Sequence, residues 1–212
     1  GGSLPHLRDV ARRSAVDLMQ ACDEDPVHSE HVARLALELF DATADRHGLG
    51  ADARSLLEAA ALLANVGLVI SHGKHHKHSY YLIRNSDRLV GFTDREIEVI
   101  ALLARYHRKS APKASHPEWA ALDDDDQRTV LVGAAVLRVA IGLDRSHRQL
   151  VTGVDVDEVD GRLVLSVQTT EPDPDLSLEL YASVERSGLL VDVLGLPIDV
   201  VVAEPVPATG AG

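Results

Sequence analysis

Leu62-Leu63-Ala64-Asn65-Val66-Gly67 ends the most uniformly apolar segment of the chain. Behind it, Leu56, Leu57, Ala59, Ala60, Ala61, Leu62, Leu63 and Ala64 leave no polar stripe at helical spacing. A helix apolar on every face belongs at the centre of its fold, so about 52–66 is read as a central helix stopped by Gly67. The other segments are arranged around it. Upstream, Leu7, Val10, Ala11, Ser14, Leu18 and Cys22 repeat at helical spacing over 5–22, and Val32, Leu35, Ala36, Leu39 and Phe40 do so over 28–46. His31 borders the second of these stripes.

Downstream, Val69 and Ile70 lead into a histidine run, His72 to His78, and Ser79 to Asn85 reads as a short helix. Thr93-Asp94-Arg95-Glu96 is a capping box opening a helix through Ile97, Ile100, Leu103 and Ala104 to His107, which is in phase with the apolar face. Asp123 to Asp126 put negative charge at the start of the next helix, where the helix dipole favours it. That helix carries Val130, Ala134, Leu137 and Ile141, and Asp144 continues the stripe. A carboxylate in phase with a buried stripe needs a partner.

After about residue 150 the pattern changes. Residues 151–157 and 162–168 alternate as strands around Asp160-Gly161, a hairpin signal. Residues 176–194 read as a helix and 198–203 as a strand. The fold class is therefore α+β, mainly α. Residues 5–150 form a helical domain, 151–205 a small β-β-α-β subdomain, and 1–4 and 206–212 are tails. The opening Gly1-Gly2-Ser3, without a methionine, reads as a fusion scar or a cut fragment.

The chain has 212 residues, 45% of them hydrophobic, and a net charge of -12. That balance argues against a nucleic-acid partner. No apolar run is long enough to cross a membrane, and no secretory signal is visible. Cys22 is the single cysteine, which fits a reducing, cytoplasmic setting. The charge is unevenly spread. Residues 71–113 hold nine Lys and Arg against four acids, net +5, so the remainder carries -17. A basic island in an acidic chain is a candidate anion site, although a single charge run is as often a solvated face.

Two chemistries compete for these residues. Divalent metals need imidazole and carboxylate donors converging from several helices. His31, a dipeptide at the end of the apolar helix, and Asp144 have the layout of a histidine-aspartate (HD) metal phosphohydrolase, but the dipeptide here is Ala64-Asn65. Alanine has no donor and asparagine lacks the charge. No metal cofactor is expected, and His31 and Asp144 are read as hydrogen-bonded to each other or separately satisfied. The histidine run cannot bind one ion as a block, because adjacent helical residues do not share a face. It is either a solvated surface or an edge for phosphate, for which Arg supplies a fork, Lys a mobile charge and His a donor that varies with pH. No catalytic nucleophile motif is present.

Several strings together carry a family resemblance: His31-Val32-Ala33-Arg34-Leu35-Ala36, His75-His76-Lys77-His78-Ser79-Tyr80-Tyr81-Leu82-Ile83, Ala104-Arg105-Tyr106-His107-Arg108-Lys109 and Gly142-Leu143-Asp144-Arg145-Ser146-His147. The chain resembles the C-terminal region of the exopolyphosphatase/guanosine pentaphosphatase (Ppx/GppA) phosphatase family over about 5–203. The resemblance implies an HD-like helical domain associated with holding polyphosphate and with dimerisation. It also implies an actin-like phosphatase module elsewhere that performs the hydrolysis. The expectation is a non-catalytic domain that binds polyphosphate or a related multi-phosphate anion and supports a homodimer. Its expected anion-binding residues are His75, His76, Lys77, His78, Arg105, His107, Arg108, Lys109 and Arg145, with Arg84 close by. Two alternatives remain: a metal-dependent phosphohydrolase using His31, His75, His76, His107 and Asp144, and a pure dimerisation module.

Overall fold

A computed structural model describes residues 3–204. Gly1, Gly2 and the expected tail from Pro205 to Gly212 lie outside the described residues. The helices are α1 (Ser3–Cys22), α2 (Pro26–Ala42), α3 (Ala44–His47), α4 (Ala51–Leu63), α5 (His75–Asn85), α6 (Asp94–Arg105), α7 (Pro117–Ala120), α8 (Asp124–Leu143), α9 (Ser177–Glu185) and α10 (Gly188–Leu194). The strands are β1 (Gly153–Val159), β2 (Arg162–Gln168) and β3 (Ile198–Val202), and a single 3-10 turn spans Val66–Val69. The chain is α+β and mainly α. No helix of the described residues is long and apolar enough to cross a membrane.

Local chemistry sets the helix ends. The Asp25 carboxylate accepts the His28 N–H at 3.2 Å and Pro26 opens α2, where a missing N–H costs nothing. The Thr93–Glu96 capping box opens α6 with both of its reciprocal bonds. Asp123 caps α8 by accepting the Asp126 N–H at 2.8 Å. Asp160 and Gly161 both have positive φ, as the tight turn between β1 and β2 requires. That turn fixes the antiparallel register Val159↔Arg162, and β3 then adds parallel to β2 at Leu163↔Ile198.

Helix α4 lies in the middle, packed against α1, α2, α6 and α8. The 151–204 end does not stand apart from the helices. Val154, Leu165, Val167, Leu190 and Ile198 belong to the same core as Leu35, Leu63 and Leu137, because β1 packs on α2 while α9 and α10 pack on α8. Burying so many aliphatic side chains, each contributing about 1.5–3 kcal/mol, is the main force holding the fold.

Three boundaries differ from the sequence expectation. The second helix breaks at Thr43, whose hydroxyl bonds back to Leu39 O at 2.8 Å and competes with the helical ladder. The expected 176–194 helix is two helices, parted at Arg186 and Ser187. Helix α5 starts at His75 rather than Ser79, so His75, His76 and His78 are part of the helix.

The reason for the early start of α5 is the turn that follows α4. The Ser79 hydroxyl donates to Ala64 O at 2.6 Å and accepts the Gly67 N–H at 2.9 Å. One side chain thus ties both ends of the Ala64–Gly67 link to α5. Gly67 has no side chain to hold α5 away, and the backbone at His75 and Ser79 lies directly over it.

Candidate functional site

The anion and metal candidates separate into two clusters on different parts of the fold. The first is built by α5, α6 and the turn that follows α6. Lys74 precedes α5 in the left-handed region at φ 55, and Lys109 lies in the turn at φ 62. With His76 and Lys77 of α5 and Arg105 at the end of α6, they line a cleft of about 290 Å³, closed by Ser110 and His116. Larger grooves exist, such as one of about 560 Å³ between α1, α4 and α6. Its arginines are already paired, Arg8 with Asp52 at 2.6 Å, Arg12 with Glu58 at 3.0 Å and Arg95 with Asp126, so it offers no free positive charge to an anion.

The cleft's charge is one-sided. Lys74, Lys77 and Lys109 are exposed and form no ion pair among the described residues. Arg105 reaches one acid, Glu118, at 3.5 Å, and its guanidinium lies over the Tyr80 and Tyr106 rings. Cation–π contact holds an arginine in place without consuming its charge.

Behind the cleft runs a chain of hydrogen bonds whose direction is forced. A guanidinium only donates, so Arg108 Nη1, 2.6 Å from His75 Nδ1, places the His75 proton on Nε2. His75 Nε2 then donates to His107 Nε2 at 3.1 Å, and His107 Nδ1–H points to the Ala104 carbonyl. Both rings are neutral in this arrangement. Burial, reinforced by Arg108, lowers His75, takes His76 to about 4 and, with His75 beside it, takes His107 to about 3. The histidines are therefore uncharged at neutral pH, and the lysines and arginines carry the positive charge. His76 is 7% exposed and its Nδ1 has no hydrogen-bond partner among the described residues. A buried, unpaired polar atom in the wall of a cleft is a cost that a ligand or water can relieve.

The second cluster ties the end of α8 to the start of α2. Asp144 is fully buried and its partner is His28, Nδ1 to Oδ2 at 2.7 Å. Gln149 adds its backbone N–H at 2.8 Å and its side-chain amide at 3.2 Å. Burial pushes the Asp144 carboxyl up, but His28 and Gln149 outweigh it and hold the group below its ordinary value. The His147 ring stacks on His28 at 3.6 Å between centroids and bonds Asp25 at 2.8 Å. His31, one turn further along α2, bonds the Val151 carbonyl at 2.7 Å. His31 and Asp144 are thus separately satisfied.

These positions do not fit a metal. Ala64 is buried without a donor, Asn65 makes no side-chain bond among the described residues, and His31 is occupied by a carbonyl. Among the described residues no three His, Cys, Asp or Glu side chains converge as metal ligands.

Of the residues singled out from sequence, His75, His107 and Arg108 meet in the hydrogen-bond chain, and His76, Lys77, Arg105 and Lys109 line the cleft. His78 is not among the cleft's lining residues, and Arg145 is exposed beyond the end of α8. Arg84 is neutralised by Asp94 at 3.0 Å and Glu98 at 2.6 Å and is not available. Lys74, His116 and His28 were not foreseen. His28 stands three residues before His31, so helical spacing alone places both near one face of α2.

Two comparisons with known proteins bear on this arrangement. A family model described as Ppx/GppA phosphatase, domain III, matches residues 10–174. A guanosine-5'-triphosphate,3'-diphosphate pyrophosphatase of Pseudoalteromonas translucida (strain TAC 125) is 30% identical over 109 residues. That stretch is 51% of this chain and 22% of the relative, so the likeness spans about a fifth of the longer protein.

Proposed function

The chain belongs to the Ppx/GppA phosphatase family through its domain III, and from that premise we propose that it is a binding module for linear phosphate anions, inorganic polyphosphate first among them, with no catalytic step of its own. The observation that carries this reading is the charge of the cleft. Lys74, Lys77, Arg105 and Lys109 face it with Glu118 as the one acid in salt-bridge reach among the described residues, in a chain of net charge -12. Two of its lysines sit in left-handed backbone, a conformation that costs energy and tends to persist where function requires it. Hydrolysis falls to the phosphatase module that full-length relatives carry, and these residues hold the chain for it. The degenerate positions Ala64 and Asn65 support the non-catalytic role.

Titration of the 212-residue chain with polyphosphate tests this. Binding is expected at low salt and should weaken by about tenfold or more as salt rises, because the contacts are ionic. Lys77→Glu with Lys109→Glu should lose about a hundredfold, at about 1.4 kcal/mol per tenfold. Both side chains are exposed, so the double variant should fold normally. Unchanged affinity in that variant would sink the reading.

A second observation favours self-association as an additional role. Leu178, Tyr181 and Val184 form an exposed apolar stripe on α9, which packs on β3, and the free edge of β3 exposes Val201 and Val202. Exposed apolar stripes beside an unpaired strand edge are interaction surfaces. Tyr181, 69% exposed, is its centre. Sedimentation should find a dimer in the wild type and a monomer in Tyr181→Asp; a wild-type monomer at high concentration would remove this role.

A further inference from the structure

The sheet of β1, β2 and β3 has two outer edges, and ladder geometry fixes which groups face out from each. Leu163 N–H donates to Pro197 O at 2.8 Å and Ala203 N–H to Val167 O at 2.9 Å, at the two ends of the parallel β2–β3 ladder. Bonding alternates along a strand, so Asp199 and Val201 also bond β2. Ile198, Val200 and Val202 turn their N–H and C=O groups away from it. At the other edge the Thr152 N–H bond to Gln168 O at 2.8 Å sets the alternation for β1, where Val154, Val156 and Glu158 face out.

The two edges are treated differently. Helices α2 and α9 flank α8, with α2 against β1 and α9 against β3. From α2, Arg34 Nη1 donates to Thr152 O at 2.8 Å and Glu38 Oε2 accepts the Val154 N–H at 3.1 Å, so the start of the β1 edge is capped. Further along β1, Asp155, Asp157 and Glu158 are exposed, and like charges set opposite one another oppose pairing. Helix α9 sends no such bond to β3 among the described residues. Ile198-Asp199-Val200-Val201-Val202 holds neither Pro nor Lys, the usual guards of an open edge. Its one charge, Asp199, is neutralised by Arg162 at 2.6 Å.

We propose that β3 pairs antiparallel with β3 of a second copy of this chain, joining the two sheets across a two-fold axis at Val200. This rests on the self-association reading and adds to it the strand partner and the register. A pairing centred on Asp199 sets that carboxylate against its own copy, and one centred on Val201 leaves Ile198 without a partner. With Val200 at the centre, Ile198 faces Val202 and every outward residue is used. Each facing pair exchanges two hydrogen bonds, about six in all. Asp199 then lies opposite Val201. The axis is normal to the sheet, so both α9 helices stay on one face and their stripes of Leu178, Tyr181 and Val184 flank the same seam. A chain of net charge -12 repels its copy, and a strand whose one charge is neutralised adds nothing to that repulsion.

The test is sedimentation of the 212-residue chain, wild type and Val200→Pro, over a range of concentrations, with amide hydrogen exchange on the wild type. The Val200 N–H points away from β2, so proline there removes no bond within the chain and is tolerated on an edge. The variant should melt with the dilute wild type and dimerise about tenfold to a hundredfold more weakly, for the lost pair of hydrogen bonds and the ring in the seam. Exchange at Ile198, Val200 and Val202 should slow as concentration rises, while Asp199 and Val201 stay slow throughout. A wild-type dimer whose Ile198, Val200 and Val202 amides exchange fast at every concentration overturns the strand pairing and leaves self-association through α9 standing. Equal dimerisation of Val200→Pro and wild type does the same. Oligomers that keep growing with concentration overturn the two-fold register. A wild-type monomer at high concentration overturns the self-association reading and this one together. The exchange pattern is read on the wild type, so it decides even for a Val200→Pro chain that fails to fold.

Discussion

Gly67→Ala is expected to destabilise the protein by more than about 4 kcal/mol, at the far end of what single substitutions do, and to abolish phosphate binding with the fold. A Cβ at residue 67 would overlap the His75 carbonyl oxygen and the Ser79 backbone nitrogen and would lie 2.7 Å from Ser79 Oγ. Two of those three atoms are backbone, so no rotamer change relieves the clash. Helix α5 must move as a unit. It would break the Ser79 bonds to Ala64 and Gly67 and draw His75 away from His107 and Arg108. Gly133→Ala is the contrasting control. There the near neighbour is the end of the Leu103 side chain, which can rotate at lower cost. Denaturant midpoints for both variants decide the matter. A Gly67→Ala protein as stable as the wild type would mean that α5 does not sit on this turn.

Acidification is expected to unfold the chain well above the pH at which carboxylates titrate. In the unfolded chain His75, His76 and His107 take up protons near pH 6.5. In the folded chain His76 waits until about 4 and His107 until about 3, and burial, with Arg108 beside it, also lowers His75. Between those values the unfolded state binds protons that the native state refuses, so stability falls with falling pH. The contribution is intact above about pH 6.5 and shrinks continuously below it. By pH 5, His76 and His107 together should cost roughly 4 kcal/mol, with His75 adding in the same direction. That is a large part of the stability of a domain this size.

The measurement is the melting temperature from pH 7.5 to 5. His107→Gln offers an amide that can still reach the Ala104 carbonyl and accept from His75, and it does not titrate. It should flatten the curve by the share of one histidine. A melting temperature that does not move over that range would mean these rings are hydrated and titrate freely.

Most helices and all three strands were legible in the chain alone, because apolar spacing and capping chemistry are local, while three helix boundaries moved. Leu56 to Ala64 had to be a buried helix. Thr93 and Glu96 had to open α6, and Asp160-Gly161 had to turn a hairpin. The missing donor at Ala64, the missing charge at Asn65 and the basic island of 71–113 were legible for the same reason. The pairings of side chains came with packing. Asp144 takes His28 rather than His31 across 116 residues of sequence, because both histidines stand on nearly the same face of α2 and packing alone selects the one within reach. His75, His76 and His78 became part of α5 because the Ser79 hydroxyl and Gly67 let the helix begin against the end of α4. Burial, with Arg108 beside them, disfavours the charged form of His75 and His76. Helix α9 lies close against α8 because Gly142 has no side chain to hold the Ser183 backbone away. Side-chain partners far apart in sequence are chosen by distance and burial, and neither exists until the helices have packed.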